Sequence, residues 1–163
     1  MTLVTIVTLV TVLVLWSSGL VSARLGVHGV EGSFRSSNSA TRTVSIRFGI
    51  KNNGWTPVTI VGAGRSSSFM RLLRIEDMRT PMTLNPGETT AINFVYQVTD
   101  CANITIEEWP IPVRVERLWG TQTIYVDPSP QEPNTSNDSV PEDFEGSSWT
   151  LWHVAMASDV CDW

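Results

Sequence analysis

The scarcest residues of this chain narrow its chemistry first. Among 163 residues there are two histidines, two cysteines and a single lysine. Beyond Arg117 there is no basic residue at all. All 11 basic residues lie within 24–117, which carries a net charge of +3, while 118–163 carries −8. Phosphate recognition needs a basic surface, so a nucleic-acid partner is excluded. No CxxC spacing is present, which removes thioredoxin-type redox work. No GxSxG or SxxK pattern surrounds any serine, so nucleophilic catalysis has no support. Glu107 and Glu108 are adjacent and point apart on an extended chain, the wrong arrangement for paired-carboxylate catalysis; they belong to a solvated turn. Soft or imidazole metal ligands reduce to His28, His153 and Met156, with Met78 and Met82 on either side of a turn-like Arg79-Thr80-Pro81. On a strand His153 and Met156 face opposite sides, and two methionines are too few for a copper site. The expectation is a chain with no catalytic residues, no metal and no cofactor.

What is present is β-structure. In TVSIRFGIKNNGWTPVTI, residues 43–60, Val44, Ile46, Phe48 and Ile50 alternate with Ser45, Arg47, Gly49 and Lys51. A two-residue period predicts a strand with one apolar and one wet face. Asn52, Asn53 and Gly54 supply turn chemistry, and Val58-Thr59-Ile60 reads as the return strand of a hairpin. A weaker first strand covers 27–34. FMRLLRI at 69–75 fits either a strand or a helical turn. In TLNPGE, Pro86 fixes φ and Gly87 takes the position needing φ above zero. Residues 89–99 form a strand with Ile92, Phe94, Tyr96 and Val98 on one face. Residues 110–118 and 121–126 add two more.

Residues 127–148 are rich in proline, serine, asparagine and acids and read as a flexible acidic loop. Two tryptophans in WTLWHVAMA, residues 149–157, are costly to leave in water, so this stretch is expected to return to the sheet as a closing strand. The expected fold is all-β: an antiparallel immunoglobulin-like sandwich of seven or eight strands, preceded by one N-terminal hydrophobic helix. The domain layout that follows is a signal or anchor at 1–23, the main sandwich at 24–126, the acidic loop at 127–148 and the closing strand at 149–163.

Residues 1–15, MTLVTIVTLVTVLVL, are almost wholly apolar. Val21-Ser22-Ala23 places small residues where a signal peptidase would cut before Arg24, yet no positive charge precedes the apolar run. As an anchor, the run to Ala23 is long enough to span a bilayer. Both readings export the rest of the chain and make the membrane a partner through residues 1–23. In an exported protein, Cys101 and Cys161 are expected to pair, closing a loop worth about 4 kcal/mol in chain entropy. Seven tryptophans are many for this length. Trp55, Trp109 and Trp119 are candidates for a ligand-stacking platform, against a simpler role in the core and at its rim. Asn103, Asn134 and Asn137 head N-glycosylation sequons, relevant only in a host with that machinery. Ten arginines to one lysine point instead to the coding bias of a GC-rich bacterium.

SIRFGIKNNGWTPVTI, the LNPGET turn, VTDC ending at Cys101, PIPVRVERLWGTQT and WHVAMASDVC ending at Cys161 together resemble a family. The chain is similar to the uncharacterised exported β-sandwich proteins of actinobacteria, in the style of CARDB-like, adhesion-type immunoglobulin-like domains. That resemblance spans most of 43–161 apart from the acidic loop. It implies a surface or anchored non-enzymatic domain and brings no catalytic residues. The functional expectation is a non-catalytic, exported, membrane-tethered module for protein interaction or envelope structure, with an unidentified protein or cell-wall partner. The alternatives are a carbohydrate-binding module using exposed tryptophan and, less strongly, an exported metal-binding protein using His153 or His28.

Overall fold

The computed structural model describes residues 2–17, 22–29, 34–117, 120–128 and 151–161. In chain order the elements are α1 (Thr2–Ser17), β1 (Leu25–His28), β2 (Phe34–Asn38), β3 (Thr43–Asn52), β4 (Val58–Ala63), β5 (Met70–Glu76), β6 (Met82–Leu84), β7 (Thr89–Val98), β8 (Ile111–Arg117), β9 (Gly120–Val126) and α2 (Trp152–Ser158). Every strand pairing is antiparallel. One sheet has the order β1-β3-β7-β5, with β2 also on β3; the other has the order β6-β4-β8-β9. Strands β1-β3-β7-β5 facing β4-β8-β9 reproduce the A-B-E-D and C-F-G sheets of an immunoglobulin fold, with β6 added beside β4.

The period-2 patterns build the core. Val44, Ile46, Phe48 and Ile50 of β3 are at most 4% exposed, and Ile92, Phe94, Tyr96 and Val98 of β7 at most 2%. From the facing sheet Val58, Ile60, Ile111, Val113 and Val115 close over them. The rings of Phe48 and Phe94 stack with centroids 5.4 Å apart. Burial of these side chains contributes roughly 1.5–3 kcal/mol each and is what holds the two sheets together.

Several local expectations are corrected. The first strand is two strands: β1 pairs with the second half of β3 and β2 with its first half. Strands β3 and β4 are not a hairpin, because β3 lies in one sheet and β4 in the other. Asn52 makes that crossing. It is fully buried, and its Nδ2 donates to the Thr56 carbonyl at 2.9 Å and the Leu84 carbonyl at 3.1 Å. Its Oδ1 accepts from the Gly54 N–H at 2.9 Å. Its backbone N–H donates to the Glu88 carbonyl, and its carbonyl accepts from the Gly87 N–H. One side chain thus ties the β3–β4 corner to the β6–β7 turn. In that turn Gly87 has φ +77°, as the LNPGE pattern requires. FMRLLRI resolves as strand β5, interrupted by a bulge between Leu72 and Arg74.

The closing element is a helix, not a strand. Residues 152–157 are all buried, so no polar face marks a period of either kind. Ala155, Met156 and Ala157 favour helix, and the Cys161 N–H donates to the Ala157 carbonyl at 2.9 Å to finish the last turn. Leu151 at the N-cap makes no side-chain cap, so packing rather than capping holds α2 in place. Cys161 is disulfide-bonded to Cys101, with Cα atoms 5.8 Å apart and 60 residues between them in sequence.

No helix among the described residues is long and apolar enough to cross a membrane. Helix α1 has 16 residues, about 24 Å of rise. Its side chains Ile6, Val7, Leu9, Val10 and Val12 are all more than half exposed. The chain joins the sandwich at Ser22 and Ala23. Gln122 of β9 donates to the Ser22 hydroxyl at 2.9 Å and accepts from the Ala23 N–H at 3.0 Å, and Ala23 is only 5% exposed.

Candidate functional site

Three places in the fold bear on function. The first lies beneath α2, where the disulfide anchors an aromatic cluster. Trp109, just ahead of β8, stacks on Trp152 of α2 with ring centroids 5.2 Å apart and planes 23° from parallel. The Trp152 indole N–H donates to the Trp109 carbonyl at 3.1 Å. Phe69 and Tyr96 contact the Trp109 ring at 5.2 and 5.7 Å. The Arg65 guanidinium lies 5.1 Å from the same ring's centroid, a cation–π contact. Trp109 is 7% exposed and is a core residue, so of the two roles weighed for it the stacking platform falls away.

His153 sits in this cluster with no exposed surface, its ring 5.8 Å from Phe69 and from Trp109. Its Nε2 lies 2.9 Å from the Thr105 carbonyl, which can only accept, so Nε2 carries the proton. Nδ1 is buried without a hydrogen-bond partner. Burial pushes the His153 pKa below its ordinary value; the bond to Thr105 opposes this, and the Arg65 charge adds to it. The imidazole is therefore neutral at pH 7. Burial likewise drives the Tyr96 hydroxyl far above its ordinary value. On the helix, His153 and Met156 are both buried, so their expected placement on opposite faces of a strand is corrected. Among the described residues no three His, Cys, Asp or Glu side chains converge as a metal site. His28 is exposed at the end of β1, and Met82 accepts from the Thr90 hydroxyl. This region is chemically sealed, and its arrangement suits packing.

The second place is the β3–β4 corner, where Trp55 is 72% exposed. Thr56 beside it accepts from an Arg117 guanidinium N–H at 2.7 Å. Trp119 lies outside the described residues. Trp55 and Trp109 do not share a face, so these two form no platform.

The third place is not visible as a site in the sequence. On the outward face of the β1-β3-β7-β5 sheet is a cleft of about 430 Å³. Its floor is made of small side chains side by side: Ser36 opposite Ser45, and Ser45 opposite Val95. The two serine hydroxyls are 2.9 Å apart. Its wall is Arg74 and Glu76 of β5, opposite Val95 and Asn93. The bulge at Leu73 puts them there. Unbroken alternation would turn Arg74 into the core; the extra residue turns it outward, and Leu73 itself is 41% exposed. Arg74 Nε donates to Glu76 Oε1 at 2.6 Å, and Asn93 Nδ2 donates to Glu76 Oε2 at 2.7 Å. The Arg74 hydrogen bond holds the Glu76 carboxyl below its ordinary value; desolvation opposes it, and the Asn93 hydrogen bond and the Arg74 charge add smaller lowering effects. Asn93 is only 5% exposed, and its Oδ1 has no hydrogen-bond partner.

Fold and sites together define an antiparallel, immunoglobulin-like β-sandwich closed by a C-terminal helix and one disulfide. No family model matches the chain, and no curated protein matches it. Among solved structures, the chain is similar to one titled "Apo PCuAC domain from PmoF1". That alignment covers 63% of this chain and 86% of the other, at 15% sequence identity and a TM-score of 0.29. No residue role is carried over from it.

Proposed function

We propose that this chain is a non-catalytic, exported immunoglobulin-like module, tethered to a membrane by residues 1–23, that acts in protein interaction or envelope structure. The observation that carries the tether is the burial of Ala23. Cleavage before Arg24 would remove a side chain that belongs to the core, together with two hydrogen bonds to Gln122. Retention of the leader keeps both. Helix α1, whose side chains Ile6, Val7, Leu9, Val10 and Val12 are more than half exposed, then has lipid as its natural surroundings. The Cys101–Cys161 disulfide supports export to an oxidising compartment. The histidine, the tyrosine and two of the tryptophans nearest to a site are built into sealed packing, which supports binding rather than chemistry.

The test is the intact mass of the chain recovered from its native host, with and without reductant before alkylation. The expected result is a membrane-fraction species that retains residues 1–23 and takes up alkylating agent only after reduction. A species beginning at Arg24 would overturn the tether, and free thiols before reduction would overturn the export. A hydrolytic or redox turnover abolished by one point substitution would overturn the non-catalytic reading.

A further inference from the structure

We infer that the outward cleft of the β1-β3-β7-β5 sheet binds a neutral polyhydroxylated ligand, a sugar unit of a glycan, through Asn93, Ser45, Ser36 and Arg74. This names a ligand class for the module and stands independently of its tethering.

The first argument is the unpaired Asn93 Oδ1. A buried amide oxygen without a donor is destabilising, and such groups in folded proteins call for an explanation. The orientation of this amide is fixed, because its Nδ2 donates to Glu76 and leaves Oδ1 facing away from that carboxylate. Asn93 lines a cleft that opens to solvent, although Oδ1 itself lies just beneath its surface. An incoming hydroxyl that donates to Oδ1 satisfies it.

The second argument is charge. Both Glu76 oxygens are occupied, one by Arg74 and one by Asn93. The wall therefore offers neither a free carboxylate for a cation nor an unneutralised guanidinium for an anion. Neutral ligands are selected. The third argument is the floor. The paired hydroxyls of Ser36 and Ser45 each donate and accept, and one O–H of the pair remains free to point outward. A ligand that donates and accepts at neighbouring atoms matches this pattern, as adjacent sugar hydroxyls do. A peptide bound through its backbone would seek an open strand edge instead of a sheet face. The cleft volume is within the range of small-ligand sites. The bulge at Leu73 is the device that assembles the wall, and bulges recur where a strand must re-aim side chains beside a site.

The test is a two-dimensional amide NMR titration of the oxidised sandwich. The probes are glucose, galactose, N-acetylglucosamine and cellobiose, with acetate and glycylglycine as the charged and peptide comparisons. The expected result is saturable shifts at the amides of β3, β5 and β7 and at the Asn93 side-chain amide for at least one sugar. Asn93→Leu removes the acceptor, and Ser45→Val fills the floor; each is expected to weaken that sugar about tenfold or more. Trp55→Ala is expected to leave it unchanged. Both cleft positions point outward, and amide spectra of the variants report whether the fold is kept. If Asn93→Leu fails to fold, Ser45→Val carries the test alone. The inference is overturned if no sugar shifts the cleft amides at about 20 mM, the weak end of specific binding. It is equally overturned if only acetate or glycylglycine does so, if the shifts centre on Trp55, or if the folded cleft variants bind as the parent does. Failure of the leader to be retained would leave these results untouched.

Discussion

Replacing Asn52 with aspartate changes one atom group and tests how the two sheets are joined. In the parent, Nδ2 donates to two carbonyls, those of Leu84 and Thr56, while Oδ1 accepts from Gly54. The aspartate variant keeps the acceptor and loses both donors. When ionised, it also sets a negative oxygen about 3 Å from two carbonyl oxygens, in a site with no exposed surface. An orphaned buried group costs about 1–3 kcal/mol. Two such carbonyls, one of them only partly buried, together with the charge, bring Asn52→Asp to about 4 kcal/mol at pH 7. For a domain of this size that is a fall in Tm of about 8–16 °C.

The pH dependence makes the test sharp. Burial and facing carbonyls raise the folded-state pKa of the new carboxyl above its ordinary value near 3.9. A folded pKa above the unfolded one means that the folded state holds the proton more tightly. The deficit is therefore largest above the folded pKa and shrinks as pH falls through it towards 3.9. The protonated carboxyl regains one donor and loses its charge, so roughly half of the deficit returns. Asn52→Leu removes donors and acceptor alike and is expected to show a deficit that does not change with pH. The assay is denaturant unfolding followed by tryptophan fluorescence between pH 4 and pH 8, each variant referred to the parent at the same pH. A deficit below about 1 kcal/mol at neutral pH, or one that stays constant on acidification, refutes the assignment of Asn52 as the tie between the sheets.

Three further outcomes are expected. Reduction of Cys101–Cys161, or its replacement by two serines, lowers stability by about 4 kcal/mol through the 60-residue loop, read as a drop in the thermal midpoint with and without reductant. Trp152→Phe removes the donor to the Trp109 carbonyl and leaves a void, costing about 2–4 kcal/mol in denaturant unfolding. His153 has a folded pKa below its ordinary value of 6.5, so above that value it is neutral in both states, and below it the unfolded chain takes the proton first. Stability is lost as pH falls below 6.5; His153→Gln, which keeps a donor for Thr105, flattens that fall between pH 7.5 and 5, with Asp159 and the acidic groups of the surface as the background that both proteins share.

Legibility follows the range of each interaction. Strands β3 and β7 are plain because each has one uninterrupted apolar face, and their inward residues are the ones predicted. The position of Gly87 is plain because a turn's φ requirement is local. The β3–β4 corner misleads because Asn52-Asn53-Gly54 has the composition of a hairpin turn. What decides its path is the bond from Asn52 to Leu84, 32 residues away, which no local pattern records. Helix α2 misleads because burial on all sides erases periodicity; the one available signal is the helix preference of Ala155-Met156-Ala157. The sequence leaves Trp109 between a stacking platform and the core because its partner Trp152 lies 43 residues downstream. The doubled Leu72-Leu73 in FMRLLRI blurs β5, and that blur is the bulge itself. In the cleft, Ser36, Ser45 and Asn93 carry no motif, and alternation assigns them only to an outward face. Their juxtaposition comes from strand register.

The disulfide has a topological consequence. Residues 129–150 lie between Cys101 and Cys161 in the sequence, inside a covalent ring. A protease that nicks this acidic stretch opens the ring without releasing a fragment: residues after the cut stay bonded to the body through Cys161, and Trp152 stays seated on Trp109. Such a nick converts one chain into two while leaving a single molecule, and it creates a new amino terminus and a new carboxyl terminus. A cut between the two cysteines therefore leaves helix α2 covalently attached for as long as the disulfide stays oxidised.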